Sequence, residues 1–244
     1  MTRLDQALVE HGLCDSRERA KRLVLAGQVR INGQTARKPS DSVKPGDELT
    51  LDAPEKFVSR GGHKLEHALE HFQLDVKGLT ALDLGASTGG FTDCLLQRGA
   101  EKVFAIDVGQ GQLAWKLRRD RRVVVMEKTN ARHLKPENFP APADLAVIDC
   151  SFISLKKILP PAVPLLKPDG KIVALVKPQF EAGKAEADKG RGVITDAAVH
   201  GRVLAELKEF VTAQAGLCWR DVVESPLLGP AGNKEFLALI EKVR

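Results

Sequence analysis

Residues 82–96, LDLGASTGGFTDCLL, constrain the fold of this 244-residue chain more than any other segment. An apolar run there enters a glycine-rich turn and restarts as an amphipathic helix bearing Phe91, Leu95 and Leu96. Four more apolar runs, VFAID, RVVVME, LAVIDC and KIVALV, each precede a helical stretch or a loop. Parallel strands need a crossover, usually a helix, so this alternation predicts a doubly wound, Rossmann-like α/β sheet. A helix over residues 63–72 leads into the first strand. Near the end, LCWRDVVESP and KEFLALIEKV are expected to add strands and a hairpin at the sheet edge.

An open parallel sheet binds its ligand at the carboxyl ends of its strands. Gly85, Gly89 and Gly90 would let backbone approach a ligand closely there, with Ala86, Ser87 and Thr88 completing the turn and Asp83 at the strand's end. The alternative is that the glycines merely permit a tight turn. A dinucleotide site would show G-x-G-x-x-G, but Ser87 stands where the second glycine should be, which disfavours pyrophosphate. S-adenosylmethionine has no phosphate to cradle. It needs an open turn for its amino-acid end and an acid after the second strand for its ribose hydroxyls. Asp107, closing VFAID, supplies that acid at a spacing that fits one strand-helix-strand unit. Asn130 and Ala131, after the third strand, fall near the expected adenine, although Asn130 can equally be a loop-capping amide.

Asp149 ends the fourth strand and Lys177 the fifth, so two ionisable side chains leave neighbouring strands at the ligand-bearing edge. A lysine after a buried apolar strand and before Pro178 is less easily dismissed as a solvent-facing charge than most. Lys64 and Glu235 complete a possible set of four. Trp115, Lys116, Arg118, Arg119, Arg121 and Arg122 form either a solvated helix end or a phosphate-contacting rim. Phe152 could stack on a base or pack in the core. Residues 180–194 read as a mobile loop, and His63 and His67 as helix-surface residues.

Ahead of this domain the pattern is helix, helix, short strands. Leu4, Ala7 and Leu8 keep helical spacing, Ser16 is an N-cap signal and Asn32-Gly33 a hairpin-turn signal. Residues 17–38 hold seven basic side chains and one acid, Glu18. The arrangement resembles the RNA-binding module first known from a small-subunit ribosomal protein, the S-four type. That resemblance implies RNA contacts from Arg3, Arg17, Arg19, Lys21, Arg22, Arg30, Arg37 and Lys38, made mainly to phosphates and shape. The expected division is an RNA-binding module over 1–54, a linker over 55–62 punctuated by Pro54 and Gly61-Gly62, and a catalytic domain over 63–244.

Six motifs extend a second resemblance over nearly the whole chain: SRGGHKL at 59–65, LDLGASTGGFTDCLL at 82–96, IDVGQGQL at 106–113, VIDCSFISL at 147–155, LVKPQFE at 175–181 and GPAGNKEF at 229–236. In these the chain resembles the TlyA family of ribosomal-RNA 2′-O-methyltransferases, historically also labelled hemolysin A. Its second domain is similar to the wider FtsJ-type methyltransferases, whose Lys-Asp-Lys-Glu tetrad maps onto Lys64, Asp149, Lys177 and Glu235. The resemblance implies methyl transfer from S-adenosylmethionine to a ribose 2′-hydroxyl, that of cytidine, in ribosomal RNA or assembled ribosomal subunits. A ribose hydroxyl is a poor nucleophile until it loses its proton. Lysine normally keeps its own proton up to a pKa of about 10.4, so Lys177 can act as base only if desolvation or a neighbour such as Lys64 favours the amine. Asp149 opposes this. On this reading Asp149 and Glu235 orient the lysines, Lys177 faces the hydroxyl, and Lys64 holds RNA or a developing oxyanion.

The formal charge of +5 favours an anionic partner only slightly. Cys14, Cys94, Cys150 and Cys218 form no short-spaced pair, so no metal site and no disulfide framework is expected. Without an export signal or a spanning apolar run, the expected location is cytoplasmic and away from membranes. These features oppose a hemolysin-like membrane-active protein. Two other rivals are an RNA-binding protein whose methyltransferase fold no longer catalyses, against which the intact tetrad and glycine loop argue, and a small-molecule O-methyltransferase, against which the front RNA module counts. The sequence is silent on oligomeric state.

Overall fold

The computed structural model of the chain describes residues 1–52, 55–183, 186 and 190–243. Two compact units emerge, Met1–Lys56 and Phe57–Arg244.

The first unit runs β1 (Thr2–Arg3), α1 (Leu4–Glu10), α2 (Arg17–Leu25), β2 (Val29–Ile31), β3 (Gln34–Thr35), β4 (Ser42–Val43) and β5 (Leu49–Leu51). Ser16 caps α2, its hydroxyl accepting from Arg19 N–H at 3.3 Å. Asn32 and Gly33 turn the β2–β3 hairpin with φ of 52° and 78°, the left-handed pair that an Asn-Gly turn provides. β2 lies between β3 and β5. Leu4, Leu8, Ala20, Val24 and Val29 form a small core with Val43.

The second unit opens with α3 (Gly61–His71) and is built on β6 (Thr80–Leu84), α4 (Gly90–Gln97), β7 (Lys102–Ile106), α5 (Trp115–Arg118), β8 (Val123–Met126), β9 (Ala143–Ile148), α6 (Leu159–Ala162), β10 (Leu166–Val176), α7 (Pro178–Glu181), α8 (Ala197–Thr212), β11 (Leu217–Glu224) and β12 (Phe236–Lys242). The seven strands lie in the order β11-β12-β10-β9-β6-β7-β8. All pairs from β10 to β8 are parallel, and β12 runs antiparallel between β10 and β11. This is the doubly wound α/β sheet with its edge hairpin. Alternate residues of each strand face opposite ways. Ala146, Ile148, Ile172 and Ala174 join one core with Val203 and Leu207 of α8, while Leu145, Val147, Val173 and Leu175 join the other with Leu65 of α3 and Leu95 of α4. Burial on both faces explains why these strands read as continuous apolar runs rather than alternating ones.

Two expectations change. Residues 57–62 belong to the second unit rather than to a free linker: Phe57 is buried, and its ring lies where a Cβ on Gly62 would go. The fifth strand also begins earlier than KIVALV, at Leu166, and crosses an irregularity between Leu166 and Lys171 where Asp169 has a φ of 62°. Pro54, and residues 184, 185 and 187–189 of the loop read over 180–194, lie outside the described residues. Elsewhere in that loop Asn233 Nδ2 donates to Gly192 O and Asn233 Oδ1 accepts from Ile194 N–H, both at 2.8 Å. Among the described residues no helix is long and apolar enough to cross a membrane, and no cluster of His, Cys, Asp and Glu could hold a metal ion.

Candidate active site

At the carboxyl ends of β6, β7 and β9 the sheet opens into a cleft of about 790 Å³, walled by Asp107, Gln112, Asn130, Arg132, Phe152 and Lys157 among others. That volume suits a small ligand. Asp107 organises its rim, since its two oxygens accept from Ser87 N–H at 2.8 Å and Gly109 N–H at 2.7 Å. A carboxylate has about four acceptor sites, so this clamp leaves capacity for a ligand hydroxyl. Asn130 is a capping amide, accepting from Arg132 N–H at 3.1 Å, and it also lines the cleft beside Ala131.

The glycines of the turn make room for protein as well as lining the cavities. A Cβ on Gly85, which has a φ of 90°, would stand 2.6 Å from the Asp149 carbonyl oxygen. One on Gly90 would lie 2.8 Å from Gly62 N, and one on Gly89 would collide with Leu113 and Leu117. The turn is thereby drawn against the start of α3 and the end of β9, which bear Lys64 and Asp149.

A second cavity of about 280 Å³ adjoins the cleft, sharing Gly85, Ser87, Asp149 and Ser151 with it, and Lys64, Asp83, Lys177 and Glu235 line this smaller space. Lys64 and Glu235 form a buried ion pair. Lys177 Nζ lies 2.6 Å from Asp149 Oδ1 and donates to Ser151 Oγ at 2.8 Å. The parallel pairing of β9 with β10 sets Asp149 beside Lys177, and β12 brings Glu235 to the same end of the sheet. All four side chains expected in the set line one cavity. Asp83 is fully buried: its Oδ2 accepts from Thr92 Oγ1 at 2.6 Å, whereas its Oδ1 has no hydrogen-bond partner among the described residues. Burial, with Asp149 and Asp107 nearby, pushes the Asp83 carboxyl up to about 7.

Three contributors lie inside the quoted motifs without standing out in them. Ser151 is one. Glu181 is another: it accepts from Ser154 Oγ at 2.6 Å and Leu155 N–H at 2.7 Å, tying α7 to the loop after β9, and burial pushes its carboxyl up. Asn233, which secures Gly192 and Ile194, is the third. The C-S-x-x-S run after Asp149 held a signal for Ser151, but a serine in a loop has many bland uses.

In the first unit several of the expected RNA-binding side chains turn out to be engaged. Arg3 and Arg17 both bind the buried Asp5, holding its carboxyl down at about 2, with the Arg3 hydrogen bond the largest cause. Arg19 pairs with Asp15, Lys21 with Glu18, and Arg30 with Asp52. Arg22, Arg37 and Lys38 are exposed and make no ion pair among the described residues. The basic stretch after β7 behaves alike: Lys116 binds Asp93, Arg118 binds Glu127 and Arg122 binds Asp120, while Arg119 lies over the exposed Trp115 ring. Phe152 is 90 % exposed, which removes the core-packing alternative, and stands 5.1 Å from the Phe180 ring.

Residues 57–242 match the family described as FtsJ-like methyltransferase, and residues 2–49 match the S4 domain. The chain is 51% identical to the "16S/23S rRNA (cytidine-2'-O)-methyltransferase TlyA" of Mycobacterium tuberculosis, over 96% of this chain and 87% of that one. It is 48% identical to the "Putative rRNA methyltransferase YqxC" of Bacillus subtilis, over 96% and 84%. A solved structure titled "Putative hemolysin from Streptococcus thermophilus" superposes with a TM-score of 0.76 at 45% identity, covering 99% of this chain and 88% of that one.

Proposed function

Because the chain belongs to the TlyA family of ribosomal-RNA 2′-O-methyltransferases, within the FtsJ-like methyltransferases, we propose that it methylates a cytidine ribose 2′-hydroxyl of ribosomal RNA, using S-adenosylmethionine in the cytoplasm. The observation that carries this reading is the convergence of Lys64, Asp149, Lys177 and Glu235 on a small cavity that opens into a ligand-sized cleft.

The residues present fit the methyl donor. The orphaned Asp83 Oδ1 is an acceptor that a ligand ammonium group would satisfy, relieving a buried polar atom. Asp107 stands at the cleft rim with acceptor sites to spare for ribose hydroxyls, and Asn130 and Ala131 wall the region expected for adenine. Bound there, S-adenosylmethionine supplies an electrophilic methyl group on a sulfonium. The chain's own work is to position the ribose oxygen and to take its proton. Lys177, reaching into the small cavity from the end of β10, is the base; Asp149 orients it. Lys64, fixed by Glu235, presents a positive charge toward developing negative charge on oxygen. Most of the acceleration comes from alignment of the reacting atoms.

The first unit would hold the RNA, with Arg22, Arg37 and Lys38 as the cations free to meet phosphates. Phe152, exposed at the mouth of the cleft, would stack on a base. Transfer of labelled methyl to purified, unmodified ribosomal subunits tests the proposal, with Lys177→Ala alongside and the product nucleoside identified by mass. We expect label on a ribose 2′-oxygen and a loss of at least about 100-fold in the variant. Absence of transfer to either subunit, with cofactor bound, would refute the ribosomal assignment.

A further inference from the structure

Lys177 has a second partner outside the four-residue set, and we propose that Ser151 is a positioning residue whose hydroxyl holds Lys177 Nζ in place both as ammonium and as free amine. The inference rests on the reading of Lys177 as the base. Ser151 Oγ accepts from Lys177 Nζ at 2.8 Å, while Asp149 Oδ1 lies 2.6 Å from the same nitrogen. Ser151 also walls both the cleft and the smaller cavity, so it stands where donor and acceptor of the methyl group must meet.

The two partners of Lys177 differ in what they can do. A carboxylate is negatively charged, so Asp149 favours the ammonium over the amine that base catalysis needs. A hydroxyl both donates and accepts. It accepts from the ammonium, as it does here, and can go on accepting from one of the two N–H bonds that the amine keeps, which holds Nζ in place and leaves its lone pair free for the ribose proton. Base catalysis needs that amine. As the bond from the ribose oxygen to the methyl carbon forms, the methyl–sulfur bond breaks with its electron pair going to sulfur, and the hydroxyl proton passes to the Nζ lone pair.

The other charged or titratable groups facing this cavity do not replace the serine. Arg60 precedes α3, Lys64 in α3 is already paired with Glu235 ahead of β12, and Asp83 of β6 accepts from Thr92 Oγ1. Cys150, beside Asp149, has its thiol pushed up to about 12 by burial, and its Sγ donates to Leu84 O at 3.4 Å. Ser151 is the neutral group in contact with Nζ. Being exposed, it can be truncated without opening a core cavity.

The test is single-turnover methyl transfer to unmodified ribosomal subunits across pH, for the wild type, Ser151→Ala, Ser151→Thr and Lys177→Ala, with S-adenosylhomocysteine affinity measured by calorimetry. Ser151→Ala should be slower by about tenfold near neutral pH, the worth of one hydrogen bond. That loss should persist in alkaline solution, because the amine needs positioning as much as the ammonium does. Ser151→Thr, which keeps the hydroxyl, should stay within about twofold of wild type. Ligand affinity should be unchanged in both. A Ser151→Ala rate equal to wild type, or one that recovers to the wild-type rate in alkaline solution, overturns the proposal, as does a loss of ligand affinity that matches the loss of rate. Full activity in Lys177→Ala would instead overturn the base assignment beneath it, so the two failures are separately visible.

Discussion

Asp83 and the Lys64–Glu235 pair show what single residues cost the fold in order to hold the site. Asp83 shifts from 3.8 to about 7 in the folded protein, so between those values the native state binds a proton that the unfolded chain has released. Stability from this group is therefore complete below about pH 4 and is lost as pH rises toward 7, with a slope of order 1 kcal/mol per pH unit. Thermal melting of the ligand-free protein should show that decline, and Asp83→Asn should flatten it. If Asp83 meets a ligand ammonium, S-adenosylhomocysteine binding near pH 6.5 should release a proton in the wild type and not in Asp83→Asn, which calorimetry in buffers of different ionisation enthalpy reads directly. The ion pair behaves otherwise. Glu235 is 1 % exposed, so Glu235→Ala leaves Lys64 charged and buried, a loss of about 3–5 kcal/mol in chemical denaturation. Lys177→Ala strands only Asp149, which is 24 % exposed, and should cost far less. The four members of the set were legible because the tetrad of the FtsJ-type methyltransferases maps onto them. Ser151, Glu181 and Asn233 were not, since their roles come from partners 26 to 41 positions away that only the folded chain brings near.

At the level of elements, the parallel sheet was legible because strands covered on both faces leave unmistakable apolar runs, and the Asn32-Gly33 hairpin because its turn demands left-handed backbone. The segment before α3 was misread for an equally physical reason. Gly61 and Gly62 look like linker punctuation, yet Gly62 is required by the Phe57 ring, and its backbone in turn leaves no room for a side chain on Gly90. Glycine marks close packing as readily as flexibility. The site's second half depends on a brace of the same hidden kind. Glu181, in α7 just beyond Lys177, grips Ser154 and Leu155 in the loop beyond Asp149. Removing it frees both loops at once. Glu181→Ala should lower the transfer rate by roughly ten- to a hundredfold, as expected for displacements of about 1 Å at a reacting centre. It touches neither Asp83 nor Asp107, so S-adenosylhomocysteine affinity should change little. A matching loss of affinity would mean that the brace serves the whole cleft rather than the base.

Across the whole molecule, charge is where sequence counting and structure part most clearly. Seven basic residues against one acid over 17–38 read as a strongly positive surface, but Asp5, Asp15 and Asp52 arrive from outside that window to neutralise Arg17, Arg19 and Arg30. Asp5 is fully buried and its depressed carboxyl stabilises the first unit above about pH 4, with that contribution lost as pH falls through about 2. Arg3 and Arg17 therefore have a structural duty, and their removal would blur stability with RNA affinity. Arg22, Arg37 and Lys38 carry no such duty, which makes them the cleaner probe. Each phosphate contact contributes just under one unit to the slope of log affinity against log salt. Replacing all three with Ala should lower that slope by about two to three and weaken binding to ribosomal RNA regardless of sequence, without moving the melting temperature or the affinity for S-adenosylhomocysteine. Arg19→Ala and Lys21→Ala, each already partnered, should shift the slope less. If the triple variant kept the full salt slope, phosphates would have to be met by the paired arginines, and the small unit would exchange its internal ion pairs for RNA on binding.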